Sequence, residues 1–236
     1  MDSIEIEGVE LKGLRLDLPS EQQIAALALA WDDGGNHQLC FLDTPGFMAA
    51  RRSSTYSAMI RSADLVLSKS AGLSARAAKA ASDILAAGRS LPIRSVHIGA
   101  RHREYVSFFG TPEQNKELTI RYKPLSVLSS ILTVLEERRG SVFLIGGKED
   151  CLARAEANLK ATFPALRIVG RSRGDFYGKE APVLQALQKA SPNFILIGSL
   201  VKSRELWIPQ AMRSTRSGVF LYESSIIETL AGIGRK

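Results

Sequence analysis

Apolar and polar positions alternate from the first residues: Ile4, Ile6 and Val9, then Leu11, Leu14, Leu16 and Leu18, a two-residue rhythm that predicts a strand and its continuation. Ser20 is placed to cap a helix over EQQIAALALAWDD, which Gly34 and Gly35 close. A short apolar strand over 38–42 leads into DTPGF. A helical stretch follows over about 48–62, then a buried strand over 63–67, an alanine-rich helix over about 73–87 and a strand over 93–99. The 100–118 segment is irregular and polar, and reads as an inserted loop or lid. A helix over 125–136 precedes the most regular part of the chain.

That part is 141–170, SVFLIGGKEDCLARAEANLKATFPALRIVG. Residues 141–145 read as a buried strand, and Gly146-Gly147 breaks the run. Leu152, Ala155, Leu159 and Phe163 then recur at helical spacing until Pro164, and 166–169 begins a second strand. Strand, glycine turn, helix and strand make one βαβ unit. Beyond it come a loop over 171–178, a helix over 181–190, a strand over 193–198, a helix over 205–212, a strand over 218–222 and a short tail. Strands and helices alternate nearly throughout. The expectation is α/β: one Rossmann-like domain spanning 1–236, with a largely parallel sheet and helices on both faces.

Composition narrows this only slightly. With 45% hydrophobic and 23% charged residues the chain is an ordinary globular protein. It has no apolar run long enough to span a bilayer, and its acidic, alternating start is unlike a signal peptide. Cys40 and Cys151 sit in apolar patterns without metal spacing, so buried thiols in a reducing cytoplasm are expected, and no metal. The net charge of +7 attracts anions. Its densest groups are Arg51-Arg52, Arg101 to Arg103, Arg138-Arg139, Arg171 to Arg173 and Arg213 to Arg216. None is interleaved with aromatics, so no nucleic-acid partner is expected.

Ligands of parallel sheets bind at the carboxyl ends of the strands. There the sequence offers DTPG (43–46), SKSAG (68–72), GGK (146–148), RGDF (173–176) and GSLVKSRE (198–205). Lys69, Lys148, Arg173, Lys202 and Arg204 would seek anions, while Asp43, Asp175 and Glu205 are the available carboxylates. No dinucleotide fingerprint, Walker sequence, serine-hydrolase elbow or zinc-protease motif is present. His37, His97 and His102 are isolated.

Taken together, these segments resemble the WecG/TagA/CpsF family of glycosyltransferases. VFLIGGKEDCLARAEANLKATFPALRIVG is similar to the family's strand, GGK turn, helix and second strand, and SPNFILIG to a later strand. RGDF keeps Gly174 and Phe176 of a G-Y-F motif. Glu205-Leu206-Trp207-Ile208 follows the family's Q-E-x-W-I, with Arg204 replacing the Gln. FLDTPGFMAARRSSTYSAMIRSADLVL and IEIEGVELKGL resemble the N-terminal half.

The resemblance implies transfer of N-acetylmannosamine or a related sugar from a UDP donor to a lipid-linked acceptor at the inner membrane face, with no cofactor. It implies nucleotide contacts at Gly146, Gly147, Lys148, Gly174, Gly198, Arg204 and Glu205. Implied partners are a UDP-sugar or other phosphate ligand, a protein partner, peripheral membrane contact from a cytoplasmic location, and a second copy of the chain.

The departures fall on the catalytic turns. Lys69 stands in the place of an Asp that would act as base, Thr44 is kept but its Asn partner becomes Gly46, and Arg121 remains ahead of an altered motif. The G-G-A-F-D motif becomes Ser224-Ser225-Ile226-Ile227-Glu228. The family's basic C-terminal appendage is expected to be missing, leaving apolar surface near Ile226 and Ile227 for a partner to cover. Three readings follow: a transferase frame serving as a binding or scaffold module, a divergent transferase using Asp43, Asp175 or Glu205 as base, or a phosphate-binding regulator using Lys69, Lys202 and Arg204.

Overall fold

Strand β1 (Ser3–Leu11) turns back through Lys12 and Gly13 into β2 (Leu14–Asp17), and the two pair antiparallel. Both turn residues have positive φ, 54° and 78°, as a tight two-residue hairpin of primed type requires. The second run is therefore a return strand rather than a continuation of the first. The apolar phase slips by one position between Leu11 and Leu14, and the turn accounts for that slip.

The computed structural model describes residues 3–98 and 120–233, so the loop or lid expected over 100–118 lies outside the described residues. The fold is α/β, with mixed parallel and antiparallel pairing and helices on both faces. The chain divides into two compact units, residues 1–33 with 40–130 and residues 34–39 with 131–236.

In the first unit β1 is flanked antiparallel by β2 and by β5 (Ile93–His97). Helix α1 (Glu21–Ala30) starts with a capping box in which Ser20 Oγ accepts from Gln23 N–H and the Gln23 side chain accepts from Ser20 N–H. Strand β3 (Asn36–Leu42) is shared between the units, and its residues 40–42 lead into two helices, α2 (Thr44–Ala50) and α3 (Ser54–Arg61). A single helix over 48–62 was expected. Asp43 caps the chain into a helix earlier than apolar spacing indicates, and Ser53 Oγ accepts from Tyr56 N–H to start the second one. Strand β4 (Leu65–Ser68) and helix α4 (Ala71–Ala86) follow.

Beneath this unit lies a polar network that the sequence did not announce. Asp17 is wholly buried. Its Oδ1 accepts from Arg15 Nε at 2.6 Å, its Oδ2 accepts from Val66 N–H at 2.9 Å, and an Arg94 guanidinium nitrogen lies 3.8 Å from Oδ2. Arg94 also donates to the carbonyls of Ala63 and Asp64. Strands β2, β4 and β5 are thus joined through one carboxylate. Tyr122, buried beside it, donates its hydroxyl to Pro19 O; burial and the Asp17 charge hold the phenol well above its ordinary pKa.

Helix α5 (Pro124–Glu137) crosses the unit boundary. The second unit holds residues 36–39 of β3, then β6 (Ser141–Ile145), α6 (Glu149–Thr162), β7 (Arg167–Ser172), α7 (Ala181–Ala190), β8 (Phe194–Ile197), α8 (Arg204–Ser214), β9 (Gly218–Tyr222) and α9 (Ile226–Leu230). Strand order is β3-β9-β8-β6-β7, and the β7-β6-β8-β9 pairings are all parallel. Every residue of β6 and of β8 is buried, which is why both read as unbroken apolar runs. Helices α6 and α9 pack together, as do α7 and α8. Ile226 and Ile227 are buried in this unit, 1% and 0% exposed, because α9 folds onto β8 and α6. Ile226 and Ile227 themselves therefore offer no apolar surface to a partner, contrary to expectation.

On the outside of α6, Glu156 accepts from Lys160 at 2.6 Å and from Arg171, which also reaches Glu149 at 2.9 Å. The hydrogen bond from Lys160, then that from Arg171, holds the Glu156 carboxyl below its ordinary value of 4.5. A carboxyl with a depressed folded-state pKa stabilises above its unfolded value, and that stability is lost as pH falls through the depressed one. Glu156→Gln should therefore cost about 0.5–1 kcal/mol at neutral pH, a gap that closes in acid once the pH has fallen through the depressed value. Denaturant titrations at the two pH values would check this; a pH-independent difference would contradict it.

Candidate functional site

In the first unit the carboxyl ends of β3 and β4 bring Asp43, Thr44, Lys69 and Ser70 together. Asp43 caps α2, its Oδ1 accepting from Gly46 N–H at 2.7 Å, and Pro45 fits the first turn, where its missing N–H costs nothing. Its Oδ2 lies 3.5 Å from Lys69 Nζ. Lys69 is held in the turn by its own N–H, which donates to Leu42 O. Thr44 N–H donates to Ser70 Oγ at 3.0 Å, and the two hydroxyls are also 3.0 Å apart. Gly72 packs close to this pair: a Cβ there would sit 3.2 Å from Thr44 Oγ1. Tyr122 N–H donates to Ser68 O, which brings exposed Arg121 to the end of β4. Thr44, Lys69 and Arg121, three positions singled out from the sequence, therefore share one strand-end cluster.

What this cluster can do is limited by how its carboxylate is used. One oxygen of Asp43 serves the helix and the other faces an ammonium group. An aspartate so placed is a cap and counter-ion before it is a base.

In the second unit the carboxyl ends of β6, β7 and β8 meet through glycines. A Cβ on Gly146 would lie 2.7 Å from Ser199 O and 2.8 Å from Gly198 C; one on Gly174 would lie 2.5 Å from Ser199 O and 3.0 Å from Gly146 Cα. A Cβ on Gly198 would lie 2.5 Å from Ile227 Cγ1. These glycines let backbone pack on backbone. Their N–H groups serve the same purpose: Gly146 donates to Ser172 O, Gly147 to Ser199 O and Gly198 to Ile145 O. Lys148 sits exposed at the start of α6, whose first turn carries Glu149 and Asp150. Two carboxylates there complement the helix dipole and oppose an incoming anion.

Beyond β8 the chain crosses a loop in which Leu200 and Ser203, neither of them glycine, have φ of 70° and 48°. The loop delivers Arg204, whose guanidinium carbon stands 4.4 Å over the Tyr222 ring. Glu205 follows in the first turn of α8. The ring of Phe176 stacks at 5.1 Å, tilted 47°, on Trp207, and Asp175 pairs with Arg173.

One pair went unforeseen. Ser199 Oγ donates to Glu228 Oε1 at 2.6 Å, while Glu228 Oε2 and Trp207 Nε1 are buried with no hydrogen-bond partner among the described residues. Ser199 and Glu228 are 29 positions apart, and only the folding of α9 onto β8 unites them.

Among the described residues no cluster of three His, Cys, Asp or Glu side chains could hold a metal ion, both cysteines are buried and free, and no helix is long and apolar enough to cross a membrane.

A sequence profile described as the glycosyl transferase WecG/TagA/CpsF family matches residues 105–236. No curated protein matches the chain.

Proposed function

Because the chain belongs to the WecG/TagA/CpsF glycosyltransferase family, we propose that it keeps the family's frame as a binding module and does not run its sugar transfer. The observation that carries this is the strand-end cluster of the first unit, where Lys69 stands 3.5 Å from Asp43 and Asp43 is already a helix cap. Transfer of a sugar to a hydroxyl needs a group that takes the hydroxyl's proton. An ammonium cannot take one, and the Asp43 carboxylate beside it already accepts from the Gly46 N–H and faces the Lys69 ammonium. Loss of a positioned base lowers a rate by roughly two to four orders of magnitude.

The second unit supports the same reading, because the Gly146 and Gly147 N–H groups that would cradle a diphosphate donate to backbone carbonyls instead. In this reading residues 1–236 form one domain of the family. Titration of UDP and of UDP-N-acetylhexosamines into the protein tests the proposal. UDP and the UDP-sugars are expected to bind no more tightly than inorganic pyrophosphate, and micromolar affinity that depends on the uridine or the sugar would overturn the proposal.

A second reading rests on Glu228. Its unpartnered Oε2 beside Ser199 could accept a proton, which would suit a divergent transferase with a relocated base. Glu228→Gln separates the two: a still-active enzyme would lose turnover, whereas a binding module has none to lose.

A further inference from the structure

The first unit holds a groove of about 880 Å³ bordered by Lys12, Arg51, Arg52, Ser54, Ser57 and Arg61, and no carboxylate lines it. Lys12 comes from the turn of the β1–β2 hairpin, and Arg51 and Arg52 from the break after α2. Ser54, Ser57 and Arg61 lie three and four positions apart on one face of α3. Several other described cations have acidic partners: Arg171 has two glutamates, Arg173 an aspartate, and Lys79 and Lys160 have acids one helical turn away. The four cations of the groove make no ion pair with any described residue. Four like charges converging on one concavity repel each other, and a bound polyanion reverses the sign of that energy.

The groove is not the strand-end cluster. It takes the C-terminal end of α2, whereas Asp43 and Thr44 stand at the other end of that helix, about 10 Å away along its axis. It also lies where the chain enters β4, while Lys69 follows the last residue of that strand. Substrates of open α/β sheets bind at strand carboxyl ends, and this is the opposite edge.

We propose that this groove is a second anion site and that it binds a pyrophosphate-bearing ligand. Three guanidinium groups can each grip phosphate oxygens in two places, and the Ser54 and Ser57 hydroxyls add neutral donors. A volume of this size admits a ligand larger than a single phosphate. The pyrophosphate can belong to a soluble nucleotide or to a lipid headgroup; the site is independent of whether sugar transfer occurs.

The test is calorimetric titration of the whole chain with inorganic pyrophosphate at low salt, followed by competition with vesicles of phosphatidylcholine carrying a diphosphate lipid. Saturable binding is expected, weakened at least tenfold in Arg51→Ala/Arg52→Ala and in Lys12→Ala/Arg61→Ala. It should be retained in Arg213→Ala/Arg216→Ala, which removes the same charge from the second unit. Displacement by vesicles would assign the ligand to a lipid, and retention in their presence to a soluble molecule; either supports the site. No saturable binding, or equal weakening in all three variants, would overturn it.

Discussion

Asp17→Ala is expected to cost about 3–5 kcal/mol and to lower the melting temperature by roughly 6–20 °C. The carboxylate is wholly buried, and three strands depend on it. Removing it leaves the Val66 N–H without its acceptor and two half-buried guanidinium groups, on Arg15 and Arg94, without a counter-charge. Each of those is more costly than the loss of the aspartate's own bonds, because the groups left behind cannot all reach water. Asp17→Asn should fall between alanine and the native protein, since an amide oxygen can still serve the Val66 N–H but carries no charge. Thermal unfolding followed by circular dichroism measures both. A shift under about 2 °C for the alanine variant would show that the network contributes little.

The second large effect is expected at Gly146. Its φ of 112° is a conformation that residues with a side chain rarely adopt, and an added Cβ would meet Ser199 O at 2.7 Å and Gly198 C at 2.8 Å. Both obstacles are backbone, which cannot swing aside as a side-chain end can. Gly146→Ala should cost about 2–4 kcal/mol through backbone strain and overpacking together. Gly178→Ala is the internal control. Its φ is also positive, at 75°, but nothing lies within 4 Å of the position a Cβ would take. It should carry only the conformational part, about 1 kcal/mol. Equal losses at the two sites would mean that close packing at the β6 and β8 ends is not what requires glycine.

How much of this was legible in the sequence depends on the range over which the signal acts. The helix over 181–190 and the strand over 218–222 were readable to the residue, because helical periodicity and a short apolar run bounded by turn residues are local properties. The βαβ unit was readable for the same reason. The break between α2 and α3 was not: Arg51, Arg52 and Ser53 are all compatible with a continuous helix, and the interruption is set by caps at Asp43 and Ser53.

Long-range chemistry was least visible. Asp17 looks like the polar end of a strand until Arg94, 77 positions on, arrives beside it. Glu228 looks like an altered motif residue until α9 places it on Ser199. Gly146 and Gly147 suggest an anion cradle, because a glycine turn before a helix permits one. Which acceptor an N–H group finds is decided by the neighbouring strand ends, here Ser172 and Ser199. Arg51 and Arg52 were visible as a basic pair, but only the hairpin turn and the face of α3 make them part of a groove.

The proposed loss of transfer chemistry is tested most directly by measuring UDP release from UDP-N-acetylhexosamines in the presence of a lipid-linked acceptor. Release at the rate seen without protein, unchanged across donor concentration, is expected. Release above that background that saturates with donor would contradict it.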